Sequence, residues 1–195
     1  MEIQKHKLNM SFNYLVILAV LIALGVAGRL LPHPPNFTPM AAIALFAGFI
    51  FLKRYMAVIA VVVTMLLTDY FAFGYLSAEW FASKSMWVVY LALLFPVVFK
   101  NFLQKKLGLF RVAGAALASS TVFFIATNFS VWAFSPMYEK TLEGLVLCYT
   151  MAIPFFQNTV AGDLIWSGVI FGAYLALRNY SNLKIFKQKD TLIFN

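Results

Sequence analysis

Long apolar runs, separated by short polar connections that carry most of the charge, constrain this chain more than any other feature. Hydrophobic residues make up 63% of the sequence and charged residues only 11%, which lies outside the range of soluble globular proteins. The sequence therefore predicts an all-α integral membrane protein with one transmembrane domain over residues 1–195. The runs predict a bundle of six spans, at 14–31, 39–52, 55–73, 86–99, 112–134 and 158–177.

A shorter apolar piece precedes the last of these spans. Residues 144–156 would form a helix of roughly 20 Å, too short to cross a bilayer core of about 30 Å. The piece contains Pro154 and lies between the polar residues Glu143 and Gln157. Backbone that enters a membrane without crossing it is tolerated where it packs in protein or lines a cavity. We therefore predict a short re-entrant or surface helix at 142–156 that forms one wall of a binding site.

The distribution of basic residues predicts the orientation. If both termini are cytoplasmic, only Arg29, Lys84 and Lys140 lie on the outer side, which leaves 12 of the 15 Lys and Arg residues on the cytoplasmic side. This asymmetry follows the positive-inside rule. Because the basic residues are distributed between the spans and form no single patch, we expect no nucleic-acid partner. The outer connections contain nearly all of the polar chemistry.

Two carboxylates stand within apolar runs, Asp69 and Asp163. An ionisable side chain in a span is costly and usually faces the bundle interior or water, so each is a candidate for ligand binding. Asp69 could instead be hydrated near the outer interface, and Asp163 could be stabilised by the dipole at the start of the last helix. Arg29 could pair with either carboxylate, receive an anionic ligand group, or extend to the interface.

Other polar and aromatic residues of the outer side complete the predicted site. The asparagines are expected at helix ends, where capping is the usual role and shared ligand contacts are the functional alternative. The tryptophans could stack on a planar ligand or anchor the protein at the interface. We predict one outward-facing cavity bordered by Asn36, Asp69, Trp80, Asn128, Trp132, Asn158 and Asp163.

The sequence predicts neither a metal site nor catalytic machinery. His33 stands between prolines without a second histidine close in sequence, and Cys148 is the single cysteine, so neither a zinc site nor an internal disulfide is expected. None of the common catalytic motifs is present, and no cofactor is expected.

Small residues recur at every fourth position of the first span, as Ala19, Ala23 and Ala27. On a helix they form a smooth stripe that lets another helix approach closely. The stripe could meet a partner protein, or it could serve internal packing within the same bundle.

Three segments carry a resemblance to known proteins: LPHPPNFTPMAAIALFAG, TNFSVWAF and MYEKTLEGLVLCYTMAIPFFQNTVAGD. They resemble a family of small bacterial membrane proteins of unassigned function. That family is similar to the S components of energy-coupling-factor (ECF) transporters, which are six-helix proteins that capture vitamins or metal ions from the outer side. The resemblance implies a multi-pass protein of the bacterial cytoplasmic (inner) membrane with a vitamin-like small-molecule ligand. It also implies a transmembrane coupling protein, met through a motif similar to the alanine stripe, and two ATPases.

The leading functional hypothesis is thus the substrate-binding membrane component of a micronutrient transporter, and not an enzyme. Two alternatives remain. One is an intramembrane enzyme that uses Asp69 and Asp163 as a carboxylate pair, which would have strongly split proton affinities. The other is a structural or assembly subunit of the membrane without a ligand.

Overall fold

The computed structural model describes residues 2–73 and 78–193, with side chains for 13–72 and 80–180. Within these ranges the chain is helical and contains no β-strand, which confirms the all-α prediction. The helices are α1 (Glu2–Leu30), α2 (Met40–Ile50), α3 (Arg54–Phe73), α4 (Ala78–Ala82), α5 (Lys84–Leu94), α6 (Lys100–Lys105), α7 (Leu109–Phe134) and α8 (Leu142–Ile193), and a 3₁₀ segment, Phe95–Phe99, joins α5 to α6.

Five stretches in the described part of the chain are long and apolar enough to cross a membrane. The predicted span 39–52 corresponds to α2, whose 11 residues extend about 16 Å and are too few to cross a bilayer core alone. The structure therefore shows five long candidates where the sequence predicted six spans. They are Asn13–Leu30, Arg54–Ala72, Lys84–Lys105, Leu109–Phe134 and Leu142–Tyr180.

The short helix α2 lies at the centre of the bundle. Nine of its 11 residues are buried, and it contacts α1, α3, α5, α6, α7, α8 and the 3₁₀ segment. A helix that is apolar on all sides is stable only when it is surrounded. The carbonyl groups at its end accept hydrogen bonds from α6: Lys100 Nζ donates to Phe51 O at 2.8 Å, and Gln104 Nε2 donates to Phe49 O at 2.7 Å.

Pro96 explains the interruption between α5 and α6. A proline inside a helix removes one backbone hydrogen bond and clashes with the preceding turn. Here the chain tightens into the 3₁₀ segment around Pro96 and returns to α-helix at Lys100. The predicted fourth span, 86–99, thus covers only part of a longer apolar stretch, Lys84–Lys105.

The predicted re-entrant helix at 142–156 is wrong. In the structure α8 is one continuous helix that runs through Pro154 and through the predicted boundary before residue 158. Proline is tolerated inside apolar helices because neighbouring helices and local adjustments satisfy the backbone groups that it frees. Here α7 packs along α8. The polar residues Gln157 and Asn158, which suggested a helix end, lie within the helix.

Large apolar side chains cover the outside of the bundle. Leu15, Phe110 and Leu177 are examples, and Phe110 is 91% exposed. Broad exposed apolar surfaces mark contacts with a membrane or with other proteins. The described surface is therefore compatible with a multi-pass membrane protein.

The alanine stripe lies on this outer surface. Ala19, Ala23 and Ala27 are exposed, whereas Gly25 on the same helix is buried. A Cβ atom added at Gly25 would lie 2.6 Å from Thr64 Cγ2, so α1 meets α3 through this glycine. The alternative in which the alanines serve internal packing is therefore wrong for the described bundle.

Candidate functional site

A cavity of about 370 Å³ lies among the helices in the described part of the chain. Its lining comes from the end of α1, the second half of α3, the start of α2, most of α5 with the 3₁₀ segment after it, and the middle turns of α7 and α8. We call it the main cavity. Its walls are formed by Arg29, His33, Asn36, Thr38, Met40, Ala41, Met65, Asp69, Met86, Val89, Ala92, Leu93, Pro96, Ser119, Phe123, Thr159 and Asp163.

Asp69 lies on one wall and is only 2% exposed. Arg29 Nη2 donates a hydrogen bond to Asp69 Oδ1 at 2.8 Å, and Tyr90 OH donates to Asp69 Oδ2 at 2.8 Å. The other terminal nitrogen of Arg29 contacts the sulfur of Met65. Both carboxylate oxygens of Asp69 are therefore occupied by partners from α1 and α5, so the ion pair and the tyrosine hydrogen bond together join three helices.

Asp163 lies on another wall and is 4% exposed. Ser120 Oγ donates a hydrogen bond to Asp163 Oδ2 at 2.6 Å. Among the described residues, the structure shows no salt bridge to Asp163. The ion pair found there is Arg29–Asp69, and its nitrogen–oxygen distance is within 4 Å. A carboxylate of the same type thus faces the same cavity without a counter-ion.

Two further hydroxyl groups line the cavity near Asp163 on α7 and α8. Ser119 Oγ donates to Ala115 O at 2.7 Å, and Thr159 Oγ1 donates to Phe155 O at 2.8 Å. Each hydroxyl has one hydrogen, and here a backbone carbonyl accepts it. Only the oxygen lone pairs of Ser119 and Thr159 remain for an occupant of the cavity.

The connection 31–39 forms part of the cavity wall. Asn36 has a φ of 64°, in the left-handed region that asparagine tolerates better than most residues. Phe37 N donates to Pro34 O at 3.0 Å and closes a turn around it. A Cβ atom added at Gly162 would lie 3.1 Å from Phe37 Cα, so this glycine allows α8 to approach the connection closely.

A second, smaller cavity of about 80 Å³ adjoins the first, and Asn36, Phe123 and Thr159 line both. Four of its nine lining residues are phenylalanines, and the rings of Phe124 and Phe156 have centroids 4.5 Å apart. The remaining lining residues are Phe124, Thr127, Asn128, Ala152, Phe155 and Phe156.

The sequence matches the DUF6580 model, described as a family of unknown function, over residues 9–185. The chain belongs to DUF6580. The match includes every residue that lines either cavity, and it agrees with the predicted resemblance to a family of unassigned function. No curated protein matches the sequence.

The DUF6580 structure brings three of the seven predicted site residues to the main cavity. Asn36, Asp69 and Asp163 line it, and Asn128 lines the small cavity, where its amide donates to Phe124 O at 2.7 Å. Arg29, which could have paired with either carboxylate, pairs with Asp69. Asp163 lies about six turns after the start of α8, so the predicted support from the helix dipole is wrong.

The other three predicted residues line neither cavity of the DUF6580 protein. The ring of Trp80 packs edge-on against Tyr90, with centroids 5.5 Å apart. Trp132 Nε1 donates to Glu139 O at 2.9 Å, which fixes the connection between α7 and α8. Asn158 is half-buried in the middle of α8 instead of capping a helix.

Several lining residues of the DUF6580 protein had no distinctive signal in the sequence. Met40, Met65 and Met86 look like ordinary apolar residues of their spans, although all three face the cavity. Ser119 and Ser120 stand in a run of small residues that indicates backbone hydrogen bonding. The bond from Ser120 to a residue 43 positions later could not be read from that pattern.

Proposed function

We propose that this DUF6580 protein is an integral membrane protein that binds a small molecule in the main cavity. We infer that it is the substrate-binding component of a micronutrient uptake transporter, similar to an ECF S component. The observation that supports this is the position of Asp69 and Asp163 on one cavity between long apolar helices. A carboxylate at membrane depth is costly and is usually found on a ligand or ion path.

The size and lining of the main cavity fit small-molecule binding. Its volume of about 370 Å³ lies within the range of ligand pockets. Such pockets combine an apolar lining with a few polar groups that fix the orientation of the ligand. Here Met40, Met86 and Leu93 supply apolar surface, and the two carboxylates supply fixed polar groups.

The proposed membrane is the bacterial cytoplasmic (inner) membrane, with both termini in the cytoplasm. This orientation makes the short helix α2 a sixth pass beside the five long ones, because Pro39 before it lies against Gly28 and Phe51 after it lies against Tyr14, at opposite ends of α1. In this orientation the connections 31–39 and 135–141 lie outside, and the main cavity lies towards the outer side, where S components capture their ligands. In a Cys148→Ser background, single cysteines at Lys106 and Met137 should react with an impermeant thiol reagent from opposite faces. Labelling of both from one face would contradict this topology.

The proposed partner is a transmembrane coupling protein, energised by ATPases, that meets the exposed stripe of Ala19, Ala23 and Ala27. The small side chains let a second helix approach closely. Ala23→Leu should therefore abolish partner association while ligand binding is retained. Partner association retained in Ala23→Leu would contradict this role of the stripe.

The alternatives explain the site less well. A carboxylate pair acting as an enzyme requires free oxygens on both groups, yet both oxygens of Asp69 accept hydrogen bonds from Arg29 and Tyr90. A structural subunit without a ligand does not account for Asp163, whose buried carboxylate faces a cavity without a counter-ion.

The direct test is a search for the bound molecule. Protein purified in mild detergent is extracted with organic solvent, and the extract is compared by mass spectrometry with that of the Asp69→Ala, Asp163→Ala double variant. The matched control is Glu143→Gln, which removes an exposed carboxylate from α8 outside the cavity. We expect a small molecule with the wild type and the control, and none with the double variant. Equal recovery from all three proteins would overturn the proposed site.

A further inference from the structure

The main cavity is lined by more carboxylates than cationic groups. Among the described lining residues there are one guanidinium, Arg29, and two carboxylates, Asp69 and Asp163, with His33 counted as neutral. Arg29 is already bound to Asp69 at 2.8 Å. The carboxyl group of Asp163 therefore remains without a counter-ion in a largely apolar space.

The surroundings of Asp163 offer acceptors to an occupant more than donors. The hydroxyl of Ser120 has Asp163 Oδ2 at 2.6 Å and Ala116 O at 3.1 Å as acceptors for its one hydrogen, and the hydroxyl hydrogens of Ser119 and Thr159 bond to backbone carbonyls. On α7 and α8 the groups that remain are oxygen lone pairs and one carboxylate oxygen, while the uncharged side-chain donors of the lining, Asn36 and Thr38, belong to the connection 31–39. An occupant that donates hydrogen bonds and carries a positive charge is complementary to this wall.

The dimensions of the main cavity argue for an organic occupant. A volume of about 370 Å³ is far larger than a single metal ion requires, and the described part of the chain contains no cluster of three His, Cys, Asp or Glu residues that could hold one. The lining also includes Met40, Met86, Leu93 and Phe123, which offer apolar and polarisable surface for a hydrocarbon body.

We propose that the main cavity takes a small organic cation, an ammonium or amidinium compound with an apolar body, whose charged end pairs with Asp163. The assignment rests on the proposed ligand-binding function. Asp69 then acts as part of the wall, because Arg29 and Tyr90 already satisfy it. A charge-assisted hydrogen bond to the ligand replaces the counter-ion that the protein does not supply.

Three compounds of nearly equal shape test this assignment: benzamidine, which is a cation, benzamide, which is neutral, and benzoate, which is an anion. Their dissociation constants are measured by isothermal titration calorimetry on the full-length protein in detergent, at constant ionic strength. We expect benzamidine to bind at least about tenfold more tightly than benzamide, and benzoate to bind weakest, because a hydrogen bond to a buried charge is worth that much.

The variants separate the role of Asp163 from general charge effects. Asp163→Asn keeps the shape of the side chain and should abolish the preference for benzamidine over benzamide. Glu143→Gln changes the net charge of the protein by the same amount, outside the cavity, and should leave the preference unchanged. Equal effects of both variants would mean that the preference reflects the overall charge of the protein, and the assignment would be overturned.

Further outcomes of these binding and extraction experiments also test the proposal. If sodium or potassium ions displace benzamidine in simple competition at Asp163, the site belongs to an inorganic cation and the proposal fails. If benzamide or benzoate binds as tightly as benzamidine, or if none of the three binds at millimolar concentration, the proposal fails as well. Recovery of a neutral or anionic molecule from purified protein would leave the ligand-binding function standing and refute only the charge assignment. Absence of any recovered molecule would refute both the ligand-binding function and the charge assignment.

Discussion

Asp69 and Asp163 provide a comparison within one cavity. Both stand in long apolar helices, both are more than nine-tenths buried, and both line the same space. Asp69 receives two hydrogen bonds, one of them from the guanidinium of Arg29, whereas Asp163 receives one from the hydroxyl of Ser120. Two carboxylates with the same signal in the sequence therefore have different surroundings.

The difference between the two carboxylates indicates different roles. Removing one partner of a buried ion pair leaves the other charge uncompensated, which is strongly destabilising. Asp69 is such a partner: its ion pair joins α3 to α1, and its hydrogen bond from Tyr90 joins α3 to α5. No described cation pairs with Asp163, so burying this carboxyl group costs free energy without stabilising another charged residue. We infer that Asp69 maintains the wall and that Asp163 binds the ligand.

The largest expected effect is that of Asp69→Ala on stability. The variant leaves the guanidinium of Arg29 without its counter-ion, and the free energy of unfolding should fall by about 3 kcal/mol. The free energy of unfolding is measured by titrating the protein with SDS in mixed micelles. The double variant Arg29→Met, Asp69→Ala should lose less than the sum of the two single variants, because the pair acts as a unit. Additive losses would show that the two side chains are not coupled.

Tyr90→Phe should have an intermediate effect. The change removes the hydroxyl that donates to Asp69 Oδ2 and keeps the ring that packs on Trp80. A hydrogen bond to a charged group contributes about 1.5 kcal/mol or more, so a loss of about 1.5 kcal/mol is expected in the same unfolding assay. A variant as stable as the wild type would mean that Asp69 does not depend on this bond.

Asp163→Asn should have the smallest effect on stability. The amide keeps an oxygen that can accept from Ser120, and no cation loses its partner. The free energy of unfolding should stay within about 1 kcal/mol of the wild-type value, with any change on the stabilising side, because a buried carboxyl group without a counter-ion is replaced by a neutral amide. A loss as large as that of Asp69→Ala would remove the distinction between the two carboxylates.

The sequence predicted the helices correctly where basic residues stand at one end of an apolar run. The predicted spans 14–31, 55–73 and 112–134 agree within a few residues with Asn13–Leu30, Arg54–Ala72 and Leu109–Phe134. The continuity of α8 was not predictable in the same way. Polar residues and a proline end a helix in water, but within a bundle they can face a cavity or a neighbouring helix, as Thr159 and Asp163 do.

The sequence likewise predicted only part of the candidate site, most clearly its two carboxylates. Asp69 and Asp163 were conspicuous because charges are rare within apolar runs. Their different surroundings depend on contacts between residues far apart in the chain, such as Arg29 with Asp69 and Ser120 with Asp163. No local pattern encodes such pairs.

Native mass spectrometry of the intact protein, released from detergent, tests the central claim most directly, namely that the cavity at Asp163 holds a small molecule. The wild type and Glu143→Gln should each carry the same additional small mass, and Asp163→Asn should lack it while remaining folded. An additional mass retained in Asp163→Asn, or a wild type without any bound small molecule, would contradict the account.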